Sequence, residues 1–166
     1  IREDHSSQRP EPINAIVAID INTGSTRVLV GEHNFYSNPR ISPAGNELCW
    51  LAWNHPNMPW DGCELHVAAI QEDGSIFNSK IVAGSANESI FQPEWSPKGS
   101  LHFVSDRSGW WNIYSLNEGI PKCVYEIDAE FGMPLWTLGV STYGFINENK
   151  IISWFNTKGN WQIGVI

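Results

Sequence analysis

The feature that most constrains this chain is a short unit that occurs twice. Asn38-Pro39-Arg40-Ile41-Ser42-Pro43-Ala44-Gly45 returns 54 positions later as Gln92-Pro93-Glu94-Trp95-Ser96-Pro97-Lys98-Gly99. Both copies close on Ser-Pro-x-Gly, a tight-turn sequence in which Pro presets φ and the final Gly accepts a positive φ. An apolar strand pattern follows each turn (Leu48 to Trp53; Leu101 to Val104), then a loop, then a second alternating strand (Leu65 to Ile70; Asn112 to Leu116). A third, degenerate copy is expected to open at Met133-Pro134-Leu135-Trp136.

The remaining sequence has the same character. Runs such as Ala15 to Ile19, Arg27 to Val30, Lys150 to Phe155 and Trp161 to Val165 are short and β-branched or aromatic, and helical periodicity is almost absent. Gly-bearing turn sequences bound them, among them Asn22-Thr23-Gly24, Glu72-Asp73-Gly74 and Thr157-Lys158-Gly159. Short strands at even spacing with Gly turns indicate an all-β fold of hairpins. A period of roughly 40–55 residues holding four strands is the signature of propeller blades, whose apolar faces are buried only by stacking on neighbouring blades. The fold expected is a partial β-propeller of four-stranded antiparallel blades, about three to four of them. Residues 1–31 are assigned to the end of one blade, 35–84 and 90–126 to two blades, and 131–166 to the start of another that stops after its third strand. Such a chain should leave open blade faces at its ends and self-associate through them.

Composition narrows the function. Hydrophobic residues at 42% and charged residues at 17% fit a folded chain with a core. A net charge of −8 disfavours nucleic acid and anionic membranes as partners, and the apolar runs are too short to cross a bilayer. Cys49, Cys63 and Cys123 are widely spaced with no C-x-x-C pair, so no zinc ribbon or disulfide framework is indicated, and a cytoplasmic location is expected. Cys49 and Cys123 read as small core residues. The opening Ile1-Arg2-Glu3-Asp4-His5 has no initiator Met and no signal pattern, as expected of an internal segment.

No catalytic centre is legible. A nucleophile elbow needs Gly-x-Ser-x-Gly, and around Ser141 the second Gly comes one place late. His5, His33, His55, His66 and His102 form no H-x-x-x-H pair, so neither a metal nor a cofactor is expected. His66 and His102 read as sheet residues. The segment Asn54 to Gly62 lengthens its blade: Gly45 to Leu65 spans 20 residues where Gly99 to Ile113 spans 14. Its Trp60 and Met58 supply apolar surface. His55, Trp60 and Asp61 there, and Asp106, Arg107 and Trp110 in the equivalent loop of the next blade, are candidates for one shared rim. Each also has a structural alternative: the long loop could pack on a neighbour, Asp106 could accept backbone N–H groups, and Arg107 could bridge to the adjacent blade.

The stretch Phe91 to Tyr114 resembles the TolB-type WD40-like repeat. Phe35-Tyr36-Ser37-Asn38-Pro39-Arg40-Ile41-Ser42-Pro43, Trp53-Asn54-His55-Pro56-Asn57-Met58-Pro59-Trp60-Asp61-Gly62, Ala129-Glu130-Phe131-Gly132 and Ser141-Thr142-Tyr143-Gly144-Phe145 are together similar to the propeller of bacterial S9 (prolyl oligopeptidase family) serine peptidases, the group with acylaminoacyl peptidases and dipeptidyl aminopeptidases. The resemblance implies a non-catalytic propeller that gates peptide substrate for an α/β-hydrolase domain of the parent chain. That domain's Ser-Asp-His triad has no counterpart in these residues. It also makes Glu130 a candidate for contact with a peptide's amino end, although the paired Glu of the dipeptidyl peptidase branch is missing here. Two other readings remain open: a TolB-like module that binds proteins with no peptidase attached, and a carbohydrate-active propeller whose Trp rings stack on sugars.

Overall fold

The computed structural model describes residues 1–166 as fourteen strands and no helix. They form four separate antiparallel sheets in chain order. Blade one holds β1 (Arg2–Asp4), β2 (Ile13–Ile19) and β3 (Thr26–Val30). Blade two is β4 (Phe35–Ile41), β5 (Glu47–Trp53), β6 (Glu64–Ile70) and β7 (Ile76–Gly84). Blade three is β8 (Ile90–Trp95), β9 (Leu101–Ser105), β10 (Asn112–Asn117) and β11 (Ile120–Cys123). Blade four has β12 (Tyr143–Asn147), β13 (Lys150–Thr157) and β14 (Asn160–Val165).

The repeated turn is built the same way both times. Gly45 N–H donates to the Ser42 carbonyl at 2.8 Å, and Gly99 N–H to that of Ser96 at 2.8 Å, with φ of 75° and 83° at the two glycines. The Ser hydroxyl oxygens then accept the N–H of Glu47 and of Ser100 at 3.1 Å each. Upstream, Asn38 and Gln92 sit at matching register shifts with φ of 50° and 46°, each just before a Pro. A proline cannot donate to a ladder, so it is tolerated at a bulge in an edge strand. β4 and β8 are such strands.

The cores lie between sheets, not within them. Side chains on a strand alternate faces, and β5 buries both faces. Leu48, Trp50 and Ala52 join Ile16 of blade one, whereas Cys49 and Leu51 join Ile90, Leu101 and Phe103 of blade three. Phe91, Val104 and Ile113 of blade three pack in turn on Phe131, Leu135, Tyr143 and Ile151. Stacking of this kind defines a propeller segment. Polar groups tie the edge strands of successive blades: Arg40 pairs with Glu94 at 2.9 Å, and Trp95 Nε1–H donates to the Arg40 carbonyl at 3.1 Å.

Two expectations need correction. The third copy does not open at Met133. Residues 124–142 are irregular apart from one bridge, Glu130 with Asn156, and blade four starts at Tyr143. Leu135 is buried beneath the blades while Trp136 turns outward, so Pro134-Leu135-Trp136 mimics the repeat in composition only. Cys123 lies at the margin of the core and not inside it: half-buried on the edge strand β11, it packs against the cluster between blades two and three.

Candidate functional site

Three connections converge at one end of blades two to four: Asn54 to Cys63 between β5 and β6, Asp106 to Trp111 between β9 and β10, and Val124 to Thr142 between β11 and β12. Ser89 joins the first two. Its hydroxyl donates to the Pro59 carbonyl at 2.9 Å, and its N–H donates to Asp106 Oδ1 at 2.8 Å. Trp60 and Trp136 join the first to the third, with ring centroids 4.3 Å apart. Glu130 joins the second to the third by accepting the Trp111 N–H at 3.0 Å. Gly132 lies against the Trp111 indole so closely that a Cβ would collide with the ring. The two Trp-bearing loops thus share one rim.

Each sequence-derived candidate takes a defined place there. His55 sits beside Glu11 of blade one, Nε2 to Oε2 3.3 Å, and edge-on to Phe35. Asp61 is exposed, and its Oδ2 accepts the Met58 N–H at 2.9 Å, which closes the loop on itself. Trp60 is half-buried and Trp110 is exposed. Arg107 holds Glu88, in the connection from blade two to blade three, through Nη2 at 2.7 Å and Nε at 3.0 Å, and the Glu88 carbonyl in turn accepts the Cys63 N–H of blade two at 3.1 Å. The Glu88 carboxylate oxygen that Arg107 holds also accepts the Ser105 hydroxyl at 2.6 Å, and the Arg107 guanidinium lies 5.2 Å from the Tyr114 ring centre. A charge-assisted, forked contact of this type fixes loop geometry well. Glu130 also pairs main chain to main chain with Asn156, at 3.0 and 2.9 Å.

The rim divides by role. Asp106, Arg107 and Glu130 spend their polar atoms on neighbouring protein groups. Trp60, Trp110, Trp136, His55 and Asp61 present surface outward. The Ser141 hydroxyl donates to the Tyr143 carbonyl at 3.2 Å, and burial pushes the Cys49 and Cys63 thiols up to about 12, where they stay protonated and unreactive at neutral pH.

One grouping escaped sequence reasoning. His33, Glu64 and His66 meet at a different point, between blades one and two. Glu64 and His66 are two apart on β6 and so share a face, a signal the sequence does carry. His33 arrives from the β3–β4 connection, which no spacing rule could pair with them.

The sequence matches no protein family profile and no curated protein. Solved structures do match. The structure of a Mycobacterium tuberculosis puromycin-hydrolyzing peptidase superposes with a TM-score of 0.87 and 38% identity over 98% of this chain. The chain belongs with the propellers of the S9 peptidase family. Within that family, the crystal structure of puromycin hydrolase gives a TM-score of 0.81 and 36% identity over 88% of this chain. Prolyl oligopeptidase B from Galerina marginata, bound to a 35mer substrate, shares the fold at 14% identity and a TM-score of 0.64 over 99% of this chain. The S9 propeller segment described here spans about a quarter of the length of these proteins, 26%, 22% and 23% respectively.

Proposed function

We propose that this segment serves as the non-catalytic wall of a peptide chamber in an S9 serine peptidase. Its rim of Trp60, Trp110, His55 and Asp61 faces substrate or the hydrolase domain, and Asp106, Arg107 and Glu130 hold that rim in shape. The supporting observation is the continuity of three loops from three blades, locked together through Ser89, Glu130 and the Trp60–Trp136 contact. Aromatic side chains on a rigid support offer large contact area at low entropic cost, which suits recognition of an extended peptide or a packed domain interface. Hydrolysis belongs to a nucleophile outside these residues, and the propeller acts by admission and orientation. Three free thiols and no disulfide support a reducing, cytoplasmic setting.

The test is kinetic and uses the full-length parent peptidase. Trp60→Ala and Trp110→Ala should each change kcat/KM for peptides of four or more residues by about tenfold, the equivalent of ~1.4 kcal/mol. A single-residue chromogenic ester should respond far less. Unchanged peptide kinetics in both variants, with the propeller shown folded, would end this reading.

A further inference from the structure

We propose that His33, Glu64 and His66 form a zinc site that staples the connection after blade one to the third strand of blade two. Glu64 Oε2 lies 3.3 Å from His33 Nε2 and 3.1 Å from His66 Nε2. The potential ligand atoms of the three residues all lie within 4.8 Å of one another. Zn–N and Zn–O bonds of about 2.0–2.2 Å at tetrahedral angles place neighbouring ligand atoms roughly 3.4 Å apart. The two nitrogen–oxygen distances therefore already equal tetrahedral edges to within a few tenths of an ångström. The third edge, between the two imidazoles, is no longer than 4.8 Å.

Packing acts together with the Glu64–His66 hydrogen bond of 3.1 Å to hold the side chains in this arrangement. His66 stacks on Trp50, 5.2 Å between centroids and 8° between planes. The His33 backbone N–H donates to the Tyr36 hydroxyl at 2.6 Å, and its ring lies edge-on to both Tyr36 and His66. Prepositioned ligands lower the ordering cost of binding. The side chains of His33 and His66 are mostly buried, while that of Glu64 is about one-third exposed. His33 and Glu64 also line a surface cleft with Asn54, His55 and Ser85, through which a metal and a fourth, water ligand could enter. Two imidazoles and one carboxylate select a borderline ion such as Zn2+ over Ca2+ or Mg2+, which want oxygen donors. Glu32, adjacent to His33, adds negative charge beside the site.

The probe is Zn2+ alone, titrated calorimetrically into the chelator-treated 166-residue chain, with Co2+ as a spectroscopic substitute. The expected result is one ion per chain with micromolar or tighter affinity and a higher melting temperature when loaded. Co2+ should show visible d–d bands without thiolate charge transfer. His33→Gln and Glu64→Gln should each weaken binding by at least about 100-fold, since loss of a mere supporting partner already costs 10–100-fold, while His102→Gln binds as the parent does. Circular dichroism of the metal-free variants checks folding. Absence of saturable binding below about 100 μM by the unaltered chain would overturn the proposal, as would full retention of affinity in either variant or thiolate charge-transfer bands with Co2+.

Discussion

Gln92 offers the sharpest test of how the blades are joined. It sits at the inner bulge of blade three, almost fully buried, and its amide serves blade four. Its Nε2–H donates to the Tyr143 carbonyl at 2.7 Å, and its Oε1 accepts the Thr142 N–H at 2.6 Å and the Tyr143 N–H at 3.3 Å. Gln92→Leu keeps the approximate volume but strands these main-chain groups away from water. An unsatisfied buried group costs about 1–3 kcal/mol. Counting only the two short bonds, the loss should be ~2–6 kcal/mol. Near 3 kcal/mol, that lowers the melting temperature of a chain this size by roughly 10 °C. Asn38 is the internal control, because it occupies the same repeat position with nearly the same φ, yet its Oδ1 has no partner. Asn38→Leu imposes a comparable backbone strain without breaking an inter-blade bond through Oδ1. Urea unfolding gives the two stabilities. Hydrogen exchange should show protection lost first at β12 and β13 in Gln92→Leu, with blades two and three still closed. Equal losses at the two positions, or a loss below 1 kcal/mol for Gln92→Leu, would refute the reasoning.

Three further outcomes follow from the same structure. Gly132→Ala drives a methyl into the Trp111 ring; a loss of about 1–3 kcal/mol is expected from overpacking, with faster proteolysis of the 124–142 segment, and a neutral variant would contradict the close approach. Burial holds the His102 imidazolium below its ordinary value of 6.5. The unfolded chain therefore gains a proton near pH 6.5 that the native state refuses, so stability is complete above that pH and falls as pH drops through 6.5 toward the folded value. Urea midpoints at pH 7.5 and 5.5 should differ less in His102→Gln than in the parent. The outer faces of blades one and four expose Ile19, Val28, Trp154, Trp161 and Ile163, so sedimentation of the 166-residue chain should show concentration-dependent association; a monomer up to millimolar concentration would count against open blade faces.

The fold was legible because its physics is local. Ser-Pro-x-Gly determines a turn from four residues, and β-branched alternation determines the strands on either side. That β5 would bury both faces was implicit in Leu48-Cys49-Trp50-Leu51-Ala52, an unbroken apolar run that a one-sided sheet would not need. The opening of blade four was hidden because Met133 to Trp136 carries the residue types of the repeat, whereas the actual edge strand, Tyr143-Gly144-Phe145, has no Pro and no Ser-Pro turn. At the rim, the two loops could be placed on one end from strand order alone. Their fasteners could not: Glu88 for Arg107, Trp136 for Trp60 and Trp111 for Glu130 come from irregular segments whose path no periodicity predicts. The meeting of His33 with Glu64 and His66 was invisible for the same reason.

The central claim is that the Trp60–Asp61 rim lines a chamber closed by a hydrolase domain. A photoreactive benzoylphenylalanine placed at position 60 of the full-length parent tests it most directly, irradiated with and without a slow peptide substrate and mapped by mass spectrometry. The account predicts a cross-link to the hydrolase domain in the free enzyme or to the peptide when it is bound. Cross-links confined to neighbouring blades in both conditions would contradict it.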